Sequence, residues 1–202
     1  MKKRDFIAAF IIGEASAVIL LLMADFLKMP PGTPLRDILK FTPIILPFLS
    51  VLGIFIASLI GKKIPVIFQA SKSFLVGILN TFIDFAILTI LMETFKVFSG
   101  GLYVLFKGTS FSGATINSYF WNKFWTFEKR ETKDPLKETA QFYLITIGGL
   151  LIHLGISSLV VNLIGPQFGL SKQIWAYIGA LAAVFCGFLW NFTGYKFIVF
   201  KK

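Results

Sequence analysis

The sequence predicts an all-α protein, a polytopic membrane helix bundle of about six transmembrane helices, with the last four forming two parallel-repeat helical hairpins. Three observations carry this prediction. Of 202 residues, 56% are hydrophobic and 15% charged, with a mean hydropathy of +0.79; soluble domains average about 45–50% apolar and about 25% charged. The apolar residues gather into six runs that reach or approach the roughly 20 residues a spanning helix needs. Finally, two segments far apart in the chain, "NSYFWNKFWTF" and "WNFTGYKFIVFKK", end in nearly the same polar-aromatic way.

The runs, in order, are Phe6–Leu27, Pro43–Ile60, Phe74–Met92, Leu105–Trp125, Phe142–Ile164 and Ile174–Val199. The first follows "MKKRD" and includes "ASA", which resembles a signal peptide. Its apolar stretch continues well past "ASA", so it reads as an uncleaved helix, interrupted by Glu14. The prolines of "MPPGTPLRDILK" argue against one continuous helix between the first two runs. The fourth run is the least clean, because "KGTSFSGAT" is polar.

A net charge of +10 would point to nucleic acid in a soluble protein. Here the basic residues flank apolar runs, which fits helix ends meeting anionic lipid head groups and no nucleic acid. With the amino terminus inside, Lys28, Arg36, Lys40, Lys96, Lys107 and Lys172 fall on outer segments, and the other fourteen of the 20 basic residues fall on cytoplasmic ones. The bias places both termini in the cytoplasm of a multi-pass protein of the inner (plasma) membrane. One cysteine, Cys186, and one histidine, His153, exclude an intrachain disulfide and the usual zinc spacings. "LIGKKIP" lacks the upstream glycine and the Ser/Thr of a phosphate loop, so ATP hydrolysis is not expected. No metal and no cofactor are expected.

The repeat is legible at two offsets. Ala114–Phe127 aligns with Gly187–Phe200 at an offset of 73, which puts Lys123 on Lys196, Phe124 on Phe197 and Phe127 on Phe200. Upstream, "SFLVGILNTFIDFAILTIL" aligns with "QFYLITIGGLLIHLGISSL" at an offset of 68. Each unit runs outward, turns, and returns to an aromatic-lysine end, so the repeat is parallel.

These residues resemble a known family. Phe74, Gly77, Asn80, Thr81 and Asp84, followed by "NKFWTF" (Asn122–Phe127) and by Asn191–Phe200, are similar to the pattern of GtrA-like proteins. The resemblance implies small four-helix membrane proteins of cell-surface polysaccharide synthesis, several regarded as flippases for polyprenyl-phosphate-linked sugars. It covers residues 68–202 as the core and leaves 1–67 as a two-helix membrane extension. The family pattern often carries arginine where Lys123 and Lys196 stand, and lysine offers a point charge in place of a planar fork.

Asp84 falls near the middle of the third run, where insertion scales put an acid at about 2.5–3.5 kcal/mol. It should face the bundle interior or a wet cavity, with Asn80 one turn away on the same face. One reading has this pair lining a path for a sugar head group; the other is a structural bond to a neighbouring helix. His153, one position off the repeat-equivalent of Asp84, is either its polar partner or bonded to a backbone carbonyl. Lys123 and Lys196 are read as phosphate-capturing, with Asn117, Asn122 and Asn191 binding sugar hydroxyls; plain snorkelling to head groups is the competing reading. Glu14 is a second intramembrane acid whose role the sequence does not decide, and the small residues Gly179, Ala183 and Gly187 read as helix-packing positions.

The expected function is translocation of a polyprenyl-phosphate-sugar lipid from the cytoplasmic to the outer leaflet, through a groove between the repeats, with no catalysis. The alternative is a non-catalytic anchor or stabilising partner of a membrane glycosyltransferase. A homodimer is a further expected partner state, because four small helices enclose little space. The sugar, the polyprenol and the energy source are not encoded legibly.

Overall fold

The computed structural model describes residues 1–201 except 31, 97–99, 130, 132 and 171; side chains at 100, 101, 103, 104, 107, 153, 157, 158, 161, 162, 172–177 and 179–181 lie outside that description. Among the described residues every regular element is helical. α1 (Lys3–Phe26) starts on a capping box, in which the Asp5 carboxylate accepts from the Lys2 backbone N–H at 3.0 Å. α2 (Pro34–Leu39) is a short turn of helix begun by a proline. It breaks the chain between α1 and α3 (Thr42–Ile60), as the prolines require. α4 (Pro65–Phe95) is 31 residues long and stops at Lys96, whose φ of 55° is left-handed. α5 (Gly100–Trp121) runs without a break into a π-helical turn, Asn122–Thr126.

Asp134 begins the second half of the chain by accepting from the Lys137 backbone N–H at 3.0 Å, with Pro135 at the first helical position, where a missing N–H costs nothing. α6 (Pro135–Ser158) continues into the π-helical turn Leu159–Ile164. α7 (Lys172–Gly194) ends in another, Tyr195–Val199.

Among the described residues five helical segments are long and apolar enough to cross a membrane: Lys3–Phe26, Thr42–Ile60, Pro65–Phe95, Pro135–Ile156 and Ala182–Val199. The expected fourth span corresponds to α5, which has 22 residues interrupted by the polar stretch "KGTSFSGAT". The polytopic helical bundle stands.

The chain forms two compact units, Met1–Glu128 and Lys129–Lys202. In the first, α1 packs on both α3 and α4, and α4 packs on α5. Its core is Ala8, Ala9, Ile12, Ile54, Val76, Leu79 and Trp125. Small residues set how closely the helices approach, since lipid tails give no hydrophobic reward for helix pairing. At Gly13 the approach is backbone to backbone: a Cβ there would lie 2.6 Å from Pro47 Cα. In the second unit α6 packs on α7, and Phe142 stacks on Tyr195 with ring centroids 4.3 Å apart. Large apolar side chains such as Ile44, Phe48 and Phe55 point outward, an arrangement that bilayer and not water stabilises.

Candidate functional site

The first hairpin, α4 with α5, carries a ladder of polar pairs along its inner seam. At one end Ser73 Oγ donates to Asn122 Oδ1 at 3.1 Å, and Asn122 Nδ2 donates to the Ser118 carbonyl at 3.0 Å. Two turns along α4, Asn117 Nδ2 donates to Asn80 Oδ1 at 2.7 Å. One turn further, Ser110 Oγ donates to Asp84 Oδ1 at 2.6 Å. The rungs follow from helical spacing: 73, 80 and 84 share a face of α4, and 122, 117 and 110 descend the antiparallel α5. Asp84 is half-buried and turned toward α5. Side-chain partners in the ladder offset much of the cost of polar groups within hydrocarbon.

Both hairpins end in the same local geometry. The π-helical turns Asn122–Thr126 and Tyr195–Val199 lie 73 residues apart, the offset read from the letters. Each is closed by a five-residue backbone bond, Phe127 N–H to the Asn122 carbonyl at 2.9 Å and Phe200 N–H to the Tyr195 carbonyl at 2.8 Å. The lysines match as well. Lys123 Nζ lies 5.2 Å and 5.7 Å from the ring centroids of Tyr119 and Phe124; Lys196 Nζ lies 5.8 Å and 5.4 Å from those of Phe192 and Phe197. The ring faces attract the ammonium groups. Lys123 is buried and donates to the Tyr119 hydroxyl at 2.9 Å, so it does not simply snorkel.

Asn191 sits in the second hairpin directly against Gly149, where a Cβ would come within 2.3 Å of its Oδ1. That oxygen is buried and meets no hydrogen-bond donor among the described residues. Beside it, Trp190 fills the space over Gly148 and donates to the Ile145 carbonyl at 2.9 Å. Glu14 is half-buried on α1 and makes no hydrogen bond or ion pair with a described residue. The His153 and Gly179 side chains lie outside the described residues, and so does the expected Asp84–His153 contact. Gly77 is exposed, and a Cβ there would meet no atom within 4 Å, so it does not bring α4 close to a neighbour. Among the described residues no cluster of His, Cys, Asp or Glu could hold a metal.

Sequence reasoning missed a second polar centre, at the end of the first unit that carries Lys123. Asp5 and Lys72 are buried and paired, with Lys72 Nζ 2.6 Å from Asp5 Oδ1. Trp125 Nε1 donates to the same oxygen at 3.1 Å. Glu128 pairs with Arg4 and lies 3.8 Å from both Lys2 and Lys72. Burial pushes the Glu128 carboxyl up, but the Arg4 hydrogen bond and charge, with the charges of Lys2 and Lys72, outweigh it and hold the group below its ordinary 4.5. The available signal was one acid in the otherwise basic "MKKRD".

Residues 72–200 match the profile of a family described as GtrA/DPMS, transmembrane domain. A relative, the uncharacterized membrane protein YngA of Bacillus subtilis (strain 168), is 31% identical over 125 residues, which is 62% of this chain and 74% of that protein. No solved structure matches.

Proposed function

Since the chain belongs to the GtrA/DPMS transmembrane-domain family, we propose that it is a membrane protein of glycan synthesis that moves a polyprenyl-phosphate-linked sugar from the cytoplasmic to the outer leaflet. The polar head group sets the physical problem, because the polyprenyl tail never leaves hydrocarbon. The observation that carries the reading is the ladder of the first hairpin. The groups of Asn80, Asn117, Asp84 and Ser110 bond one another inside the span. They can exchange those bonds for sugar hydroxyls at little net loss, which is what a transient passage needs. Lys123, next to the Asn122 end of the ladder, supplies a cation for the phosphate, and Lys196 repeats that feature in the second hairpin. Asn122 and Asn191 add amides beside each lysine.

The sequence contains no nucleotide-binding loop, so the transport is downhill, drawn by consumption of the sugar lipid outside, or proton-linked through Asp84. The protein itself makes and breaks no covalent bond in this scheme. In this scheme it lies in the plasma membrane with both termini cytoplasmic, a topology that the distribution of basic residues supports.

The test is leaflet exchange of a labelled polyprenyl-phosphate-sugar in liposomes holding the purified chain. Accelerated exchange that Asp84→Asn and Lys123→Ala each strongly reduce supports transport. Exchange at the protein-free rate, with a glycosyltransferase retained through purification, would instead make the chain that enzyme's anchor. Product formed by the chain alone would make it an enzyme.

A further inference from the structure

We propose that the amino-terminal helix, which lies outside the matched residues 72–200, is a positioning element that fixes the lysine-bearing π-helical turn of the first hairpin through Asp5. The inference rests on the reading of Lys123 as a phosphate-capturing group, and it adds a role for a segment that reading leaves unused.

Asp5 is 1% exposed and Lys72 2%. Taking two charges out of water costs several kcal/mol per ion, and such a pair persists only when its remaining hydrogen-bonding capacity is met. Here it is met. Asp5 Oδ1 accepts from Lys72 Nζ and Trp125 Nε1, and Oδ2 accepts from the Lys2 backbone N–H. Lys72 Nζ also lies 4.4 Å and 5.4 Å from the ring centroids of Phe68 and Trp125. Trp125 belongs to the π-helical turn, two residues beyond Lys123. Glu128, immediately past that turn, holds a left-handed φ of 53° and is gripped by Arg4. The first turn of α1 therefore holds the π-helical turn at two points, Trp125 within it and Glu128 just beyond it. The partners divide cleanly: Lys2, Arg4 and Asp5 come from the extension, while Lys72, Trp125 and Glu128 come from the matched domain.

The second hairpin secures its equivalent turn from within. Lys129 Nζ lies 3.1 Å from Glu138 Oε2 and donates to the Val199 carbonyl at 3.1 Å. Two turns of the same geometry are thus held by different means, and this supplies an internal control.

Thr126 and Val199 are repeat-equivalent, are each 2% exposed, and are similar in size to cysteine. In full-length chain carrying Cys186→Ala and reconstituted in liposomes, single Thr126→Cys or Val199→Cys substitutions report the opening of each turn by their rate of reaction with N-ethylmaleimide. Asp5→Ala should raise the rate at position 126 by at least about tenfold, because it leaves the Lys72 charge buried without its carboxylate. The rate at position 199 should not change. Adding Lys72→Met to Asp5→Ala removes that stranded charge and should return the rate at 126 part of the way. If Asp5→Ala yields no folded protein, Asp5→Asn, whose amide oxygen still accepts from Trp125, should give the same asymmetry at smaller size. Slow labelling at both positions in either variant overturns the proposal, and so does equal acceleration at both, which would mean general loosening. The leaflet-exchange assay separates this inference from the one beneath it. Asymmetric labelling caused by Asp5→Ala, together with a wild type that moves no sugar lipid, sinks the transport reading alone, while wild-type transport with symmetric labelling in the Asp5→Ala variant sinks the positioning role alone.

Discussion

The two hairpins share their ends and differ in their seams. At the ends, a π-helical turn, a five-residue backbone bond and a lysine over two aromatic rings recur at the same offset. Along the seams the chemistry diverges. Asn80 and Asn117 are hydrogen-bonded in the first hairpin; their repeat-equivalents Gly148 and Trp190 meet as an indole over a glycine. Asp84 and Ser110 correspond to Ile152 and Ala183. Where Asn122 takes a hydrogen bond from Ser73, Tyr195 stacks on Phe142 and bonds the Thr146 hydroxyl at 2.7 Å. Among the described residues the two hairpins thus share their lysine ends, while the hydrogen-bonded pairs Asn80–Asn117 and Asp84–Ser110 of the first seam have apolar residues at the equivalent positions of the second.

That division can be broken most forcefully at Asp84. Asp84→Leu should cut protein-dependent leaflet exchange by about a hundredfold, whereas Ile152→Ala should change it by less than about twofold; comparable losses at both positions would mean that the seams are functionally alike. Lys123→Ala and Lys196→Ala should each cost about tenfold, and arginine at either position should restore most of the activity because the cationic charge is kept. A failure of arginine to rescue would point to the ammonium geometry, not the charge. Stability should be asymmetric too. Gly149→Ala drives a methyl into the Asn191 amide and should cost about 1–3 kcal/mol in denaturant titration, while Gly77→Ala, with nothing to meet, should be neutral. Smallest is the effect of acid. The Glu128 carboxyl is held below its ordinary 4.5, so its contribution to the first hairpin's end is complete above that value and is lost as pH falls through the lower folded value. Labelling at Thr126→Cys should therefore quicken modestly on acidification in that window, and Glu128→Gln should remove that component of the response.

Much of this was legible because the relevant signals are local. Hydropathy marks α1, α3 and α4, whose apolar runs are uninterrupted enough to stand out. The lysine-phenylalanine spacing marks the two ends, since a π-helical turn with its stacked rings uses neighbouring residues only. The polar stretch that blurred the fourth span holds Ser110, the partner that Asp84 needs, so the same residue that weakened the span prediction completes the site. The Asp5–Lys72 pair was not legible. Its members are 67 residues apart, and each taken alone is a charge near a helix end, where solvation is the ordinary expectation. Only the fold reveals that both are buried. The letters likewise reveal the repeat without revealing which copy keeps the polar rungs in contact, because that depends on which faces of two antiparallel helices meet.

An ammonium held among aromatic side chains has already surrendered part of its hydration, and the rings, with the Tyr119 hydroxyl at Lys123, stand in for the missing water. Such a cation has little left to lose when an anion arrives, and a soft place to return to when the anion departs. In a carrier this limits residence as well as promoting capture. In the proposed transport, a bare, fully desolvated lysine would hold a phosphate too long to pass it on, whereas one shared with Tyr119 or Phe192 would let go.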